Sequence, residues 1–275
     1  MTILTHLPLV GLLVTGIAAS LCPSASPAGE DWGTVATLEV LDGGSLEGGR
    51  YLGALHLRLE PGWKTYWRSP GDAGIPPRFD WRGSQNVADL RITWPTPAVF
   101  ETSGMRTIGY HDELVLPVEI TPRQPGAPIR LKGQMELGLC KDVCIPSELV
   151  FDHAADLAAP RNPTIVAALA ARPYTAAEGR VTGVSCRLAP TPYGMKVTAR
   201  IRMPSAGAEE VAVIEGSSPE MMAGETRSWR EGGELVAESE LLPTGNAPLA
   251  VDRSALRFTV LGTSHAVDIR GCTAG

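Results

Sequence analysis

Cys140-Lys-Asp-Val-Cys144, with Pro146 just beyond, is the stretch that most limits what this chain can become. In an extended strand, residues four apart lie roughly 13 Å from each other, whereas a disulfide needs its Cα atoms about 4.4–6.8 Å apart. The chain must therefore turn here. Upstream, Leu131, Gly133, Met135, Leu137 and Leu139 alternate with Lys132, Gln134, Glu136 and Gly138; downstream, Leu149 and Phe151 alternate with Glu148 and Asp152. Alternation on both sides of a short turn predicts a β-hairpin. A bridge across so small a loop does little for stability, because loop-closure entropy grows with loop length. Redox exchange or metal binding is a better reason for the pair.

Residues 3–21 hold an apolar run followed by small residues, and the whole of 1–28 reads as a secretory signal peptide with cleavage after Ala28. Its leading segment has His6 but no Lys or Arg, and an uncleaved membrane anchor is the competing reading. Cys22 follows Leu21 rather than a small residue, which disfavours a lipid-modified cysteine, and it leaves with the signal. Cys140, Cys144, Cys186 and Cys272 then remain, an even set suited to export into an oxidising compartment, the periplasm. No second long apolar run follows, so the mature chain is expected to be soluble. The formal charge of -6 lies entirely outside 1–28 and argues against a nucleic-acid partner.

Two regions of short alternating strands flank a different kind of segment. In the first, 31–155, the pattern predicts strands at Thr34–Leu41, Tyr51–Leu59, Arg91–Trp94, Leu114–Ile120, Ile129–Leu139 and Leu149–His153. Between Pro163 and Pro173, Thr164–Ala171 has the composition of a short helix, making 156–177 a helical linker. In 178–275, strands are expected at Gly179–Arg187, Lys196–Arg202, Glu210–Glu215, Glu234–Leu242, Leu256–Leu261 and Ala266–Ile269. The fold class is therefore all-β, two β-sandwich domains joined by a short helical connector. Trp81 and Trp94 are assigned to core packing. In Trp63-Lys-Thr-Tyr66-Trp67, strand alternation sends neighbouring rings to opposite faces, so some of them are expected near a surface, where they can shield a reactive group.

Gly62-Trp63-Lys-Thr-Tyr66-Trp67-Arg-Ser-Pro70-Gly71-Asp-Ala-Gly74-Ile-Pro76, Trp94-Pro95, Gly109-Tyr110, Leu116-Pro117-Val118 and Cys140-Lys-Asp-Val-Cys144-Ile-Pro146 together resemble the N-terminal periplasmic domain of DsbD-type protein-disulfide reductases, and most nearly the ScsB-type proteins associated with copper tolerance. The resemblance covers 31–155 well and 156–275 less specifically. It implies immunoglobulin-like sandwiches and a redox-active pair, Cys140 and Cys144, acting as a thiol–disulfide oxidoreductase component. It further implies that Trp63, Tyr66, Trp67 and Tyr110 shield the pair or bind partners. A cap loop covers the cysteines in better-known members, and its counterpart by position is Val99-Phe100-Glu101-Thr102-Ser103. The chain stops at Gly275 with neither a membrane domain nor a thioredoxin domain. The expected partners are thus a separate membrane-embedded thiol donor and a periplasmic thioredoxin-like or disulfide-isomerase-like acceptor, met by a monomer that needs no cofactor beyond its disulfide.

Within the motif, Lys141 favours a thiolate and Asp142 opposes it, and His111, beside Asp112 and Glu113, is a candidate base or else part of an exposed turn. The rival function is copper(I) binding, since thiolates suit that ion, and Cys-x-Asp-Val-Cys-x-Pro also resembles the copper loop of Sco-type chaperones. That family needs a thioredoxin-like α/β fold. The dinuclear copper site of oxidase subunits needs a histidine where this chain has Glu148; His153 lies five residues further on, and Met221-Met222 lie in the other region. Cys186 and Cys272 fall in or near the first and last strands of the second region. Bridging them closes a loop of about 85 residues, for which chain entropy gives on the order of 4–5 kcal/mol. Four cysteines allow three pairings; local geometry favours 140–144 with 186–272, the latter structural, or else a second redox pair.

Overall fold

The computed structural model describes Met1 and residues 35–275, except 72, 103, 219 and 246–248. Apart from Met1, the signal-peptide reading of 1–28, with Cys22, lies outside the described residues, as do Trp32 and Ser103. Thr34–Gly275 forms one compact unit.

Ten strands make the first sandwich: β1 (Ala36–Ser45), β2 (Tyr51–Leu59), β3 (Lys64–Gly71), β4 (Arg78–Asp80), β5 (Val87–Ile92), β6 (Ala98–Thr102), β7 (Met105–His111), β8 (Glu113–Pro122), β9 (Arg130–Cys140) and β10 (Cys144–Ala154). One sheet runs β1-β2-β8-β5 and the other β10-β9-β3-β7-β6, with β4 also paired to β9. Leu55, Leu57, Leu114, Leu116, Trp67, Leu137 and Leu139 fill the space between them. Strand β2 is buried almost throughout, on both faces. The reason is α1 (Pro163–Ala170), which packs Ile165 and Ala168 against Leu52, Ala54 and Val115 on the outer side of that sheet. Asn162 caps this helix by accepting from the Thr164 N–H at 3.0 Å, and Pro163 occupies its first turn, where no amide donor is needed. The predicted connector is thus also a lid.

The second sandwich comprises β11 (Tyr174–Thr175), β12 (Gly183–Pro190), β13 (Met195–Arg202), β14 (Glu210–Glu215), β15 (Met221–Ala223), β16 (Arg227–Glu231), β17 (Glu234–Pro243), β18 (Arg257–Gly262), β19 (Ala266–Arg270) and β20 (Thr273–Ala274). Its sheets run β11-β19-β18-β14 and β15-β17-β13-β12-β20, with β16 on β17. Val197, Ala199, Ile201, Phe258, Val260 and Ile269 form its core. Cys186, fully buried in β12, is bonded to Cys272 just before β20, a separation of 86 residues.

The two sandwiches share an interface with an apolar and a charged part. Val213, Leu261 and Ala266 of the second pack into the core of the first. Arg68 of β3 lies over the Trp67 ring at 3.9 Å and donates to both carboxylate oxygens of Glu215 at 2.9 Å and to Thr259 at 3.2 Å. A bidentate, largely buried pair of this kind fixes geometry as well as charge. The strand that carries Tyr66 is therefore held by the second sandwich two residues further on.

A polar knot joins β1, β2 and β10. Tyr51 and His153 both hydrogen-bond Asp42, and the Asp156 N–H donates to it at 2.9 Å. Burial pushes the Asp42 carboxyl up, but these hydrogen bonds outweigh burial and hold it below its ordinary 3.8. A carboxyl depressed on folding contributes stability that is present above its unfolded pKa and is lost as pH falls through the folded one. Acid unfolding curves should therefore show wild type losing stability below about pH 4, and Asp42→Asn, weaker at pH 7, losing less of it over the same interval.

Candidate functional site

The hairpin places the cysteines face to face. Cys140 ends β9, Cys144 begins β10, and they are register partners with Cα atoms 4.2 Å apart, joined as a disulfide. The Lys141 N–H donates to the Val143 carbonyl at 3.1 Å and closes the turn. Burial separates the two sulfurs' roles. Cys140 is fully buried and Cys144 is exposed, so an incoming thiol meets Cys144 first.

Beneath them lies Tyr66. Its hydroxyl is 2.7 Å from Cys140 Sγ and 3.2 Å from Cys144 Sγ. A disulfide carries no S–H, so the hydroxyl is the donor. Burial raises the Tyr66 pKa and keeps that proton in place. The position follows from pairing: Lys64 lies opposite Cys140, Thr65 opposite Leu139, and the Thr65 hydroxyl donates to the Gly138 carbonyl at 3.0 Å. Alternation along β3 then turns Thr65 and Trp67 into the sandwich and Lys64, Tyr66 and Arg68 to its outer face.

Gly138 is needed at its position. It shares the outward face with Cys140, two residues away, and an added Cβ would come within 2.9 Å of the Tyr66 ring and 2.8 Å of the Ile75 Cβ. The ring therefore lies directly over the β9 backbone, roofed by the loop that follows β3. Gly138→Ala should push Tyr66 away from the sulfurs and slow thiol exchange while leaving the far-ultraviolet β spectrum intact. Stopped-flow reduction by dithiothreitol, compared with wild type, measures the loss.

The remaining sequence-derived residues divide. Phe100 lies on β6, opposite Thr107, with its ring 4.5 Å from the His111 ring and its centroid 5.3 Å from Lys64 Nζ. Since Lys64 is the cross-strand neighbour of Cys140, this cluster flanks the disulfide on the outer face. Glu101, next along β6, is exposed. Trp63, Trp67 and Tyr110 are in the core instead. The Tyr110 hydroxyl donates to the Pro95 carbonyl at 2.8 Å, and its ring stacks on Trp94. Of the aromatic residues expected to shield the pair, Trp63, Trp67 and Tyr110 belong to the core cluster, while Tyr66 and Phe100 share the disulfide's face. Lys141 turns away, donating to the Pro61 carbonyl at 3.3 Å, and the exposed His111 packs on Phe100. Two groups the sequence reading passed over, Arg68 and Gly138, support Tyr66. The only sequence signal for either was a glycine at an outward strand position. Among the described residues, no three His, Cys, Asp or Glu side chains converge as a metal-binding group, and no helix is long and apolar enough to cross a membrane.

Residues 45–154 match the family model for the N-terminal domain of the thiol:disulfide interchange protein DsbD. Among solved structures, the N-terminal periplasmic domain of ScsB from Proteus mirabilis superposes with a TM-score of 0.67 and 24% sequence identity, covering 88% of this chain and 95% of that one. That likeness shows the fold, and it extends over both sandwiches. No curated protein matches the chain.

Proposed function

We propose, on the premise that residues 45–154 form a DsbD-type N-terminal domain, that this is a periplasmic thiol–disulfide interchange protein. It takes electrons from a separate membrane-embedded thiol donor and passes them to a soluble thioredoxin-like or isomerase-like acceptor. The observation that carries the reading is the asymmetry of the pair, an exposed Cys144 over a buried Cys140 that accepts a hydrogen bond from Tyr66.

In the delivering half-cycle, the Cys144 thiolate attacks the acceptor's disulfide and displaces one acceptor thiolate. Cys140 then attacks Cys144 Sγ in the mixed disulfide and releases the second, leaving the acceptor reduced and the pair oxidised. Reloading reverses these events. A donor thiolate attacks Cys144 Sγ, the Cys140–Cys144 bond breaks, and Cys140 leaves as a thiolate onto which the Tyr66 hydroxyl donates. A second donor thiol frees Cys144 and completes the two-electron transfer.

A pair that works as a reductant in an oxidising compartment must be found partly reduced there. Acid-quenched cells of the native host, alkylated before any reduction, should show a reduced fraction at Cys140/Cys144 with Cys186/Cys272 wholly oxidised. A pair oxidised in every cell would mean that nothing reloads it, and the relay reading would fall.

A further inference from the structure

A groove of about 440 Å³ begins at Pro146, one row along the same strand pair from the disulfide. The register of β9 and β10 builds it. On their outward face, Cys144 lies opposite Cys140, Pro146 opposite Gly138, and Glu148 opposite Glu136; β4 adds Arg78 beside Glu136. Ile75 and Pro76 form the facing wall, and over Gly138 the near part of the floor is covered by the Tyr66 ring and Ile75. The row next to the sulfurs is apolar. Ile75 there is 37% exposed, and Val143, in the turn beside Cys144, is 44% exposed.

The following row is charged. Glu136 and Glu148 face each other across the strands, an arrangement that destabilises a sheet unless something offsets it. Among the described residues neither forms an ion pair, and the polar contact of Glu148 is the Gln134 amide at 3.3 Å. Among the described residues Arg78 forms no ion pair either, and two carboxylates and one guanidinium leave the row one net negative charge.

We propose that this groove seats an extended segment of the redox partner, the residues flanking its reacting cysteine, with an apolar side chain two residues from that cysteine and a basic one four residues away. The inference rests on the exchange reading above. A partner sulfur can bond to Cys144 only if the chain next to it covers surface next to Cys144, and the groove is the concave part of that surface, one row along β10. An extended chain shows every second residue to one face, advancing about 6.5 Å each time. The Cys, Pro/Gly and Glu/Glu rows advance by the same step. The second residue therefore meets Ile75 and Pro146, and the fourth meets Glu136 and Glu148.

The test uses symmetrical disulfides of short synthetic peptides, each with Leu two and Lys four residues from its cysteine, on the N-terminal side in one and the C-terminal side in the other. They are mixed with the protein carrying its pair as a dithiol. Each turnover reduces one peptide disulfide to two thiols and oxidises Cys140/Cys144, followed by acid quench and alkylation. Hydroxyethyl disulfide is the small neutral reference for every variant.

In one polarity, at low salt, the Lys peptide should react about threefold faster than its Gln counterpart, the scale of an exposed ion pair. The Leu peptide should react about tenfold faster than its Ser counterpart. In Glu136→Gln/Glu148→Gln, and at high salt, the Lys advantage should vanish while the Leu advantage stays. Equal rates for Lys and Gln peptides in both polarities, equal rates for Leu and Ser, or a Lys advantage that survives the double substitution would each overturn the groove assignment. If hydroxyethyl disulfide itself leaves the dithiol unoxidised, the exchange reading fails instead.

Discussion

Cys140→Ser will accumulate a mixed disulfide through Cys144, and Cys144→Ser will form almost none, a difference of more than about tenfold in captured adduct, because exchange depends on access and on which sulfur is attacked. In the first variant the exposed thiol is intact and the resolving thiol is gone, so the covalent complex cannot collapse. In the second, the only thiol left is fully buried, with Tyr66 against it. Non-reducing gels of cells expressing each variant, with mass identification of the adducts, should show one membrane-bound and one soluble partner on Cys140→Ser. Adducts of equal yield on the two variants would mean that burial in the oxidised structure does not govern which sulfur reacts. Co-purification without such a trap should be poor, because electron-transfer encounters bury less than roughly 1,200 Å².

Tyr66→Phe will make the pair harder to reduce. The hydroxyl donates at 2.7 Å to the sulfur that must leave as a thiolate, and a hydrogen bond to a charged group contributes about 1.5–3 kcal/mol. Because it strengthens as charge develops on Cys140, it stabilises the reduced pair more than the disulfide. Its loss should move the midpoint potential about 30–60 mV more negative and slow reduction by a small thiol about tenfold or more. The ring remains, still pressed between Gly138 and the loop carrying Gly74 and Ile75, so thermal stability should change far less than the potential. An unchanged potential in Tyr66→Phe would remove the tyrosine from the chemistry and leave it a packing residue.

Where one face of a strand was apolar, alternation located the element well. Tyr51–Leu59 and Glu210–Glu215 have the expected bounds, and the cysteine hairpin forms about its predicted turn. Elsewhere local pattern was overridden. In β3 large rings point both ways, and its pairing with β7 slips between Tyr66 and Gly71, so no period could be read there. Strands β6 and β7, preceded by Pro95 and Pro97, separated by Gly104 and carrying Gly109 within β7, show no clear alternation. The site suffered from the same limits. Trp63 and Trp67 are buried in the core, and Tyr66, which reaches the sulfurs, is itself buried because the loop after β3 folds back over it, which no nearby residue announces. The Arg68–Glu215 clamp joins residues 147 apart in the chain. That distance leaves no local signature, and the lid role of α1 depends on Leu52 and Val115 in the same way.

The central claim is that Cys140 and Cys144 cycle between dithiol and disulfide while Cys186 and Cys272 hold the second sandwich together. Equilibrating the purified mature protein across a glutathione series, then alkylating and weighing the peptides, tests both halves at once. A reversible two-electron transition at Cys140/Cys144, with Cys186/Cys272 oxidised throughout, is the predicted result. A Cys140–Cys144 bridge that resists reduction below about -300 mV, as structural disulfides do, would contradict the account.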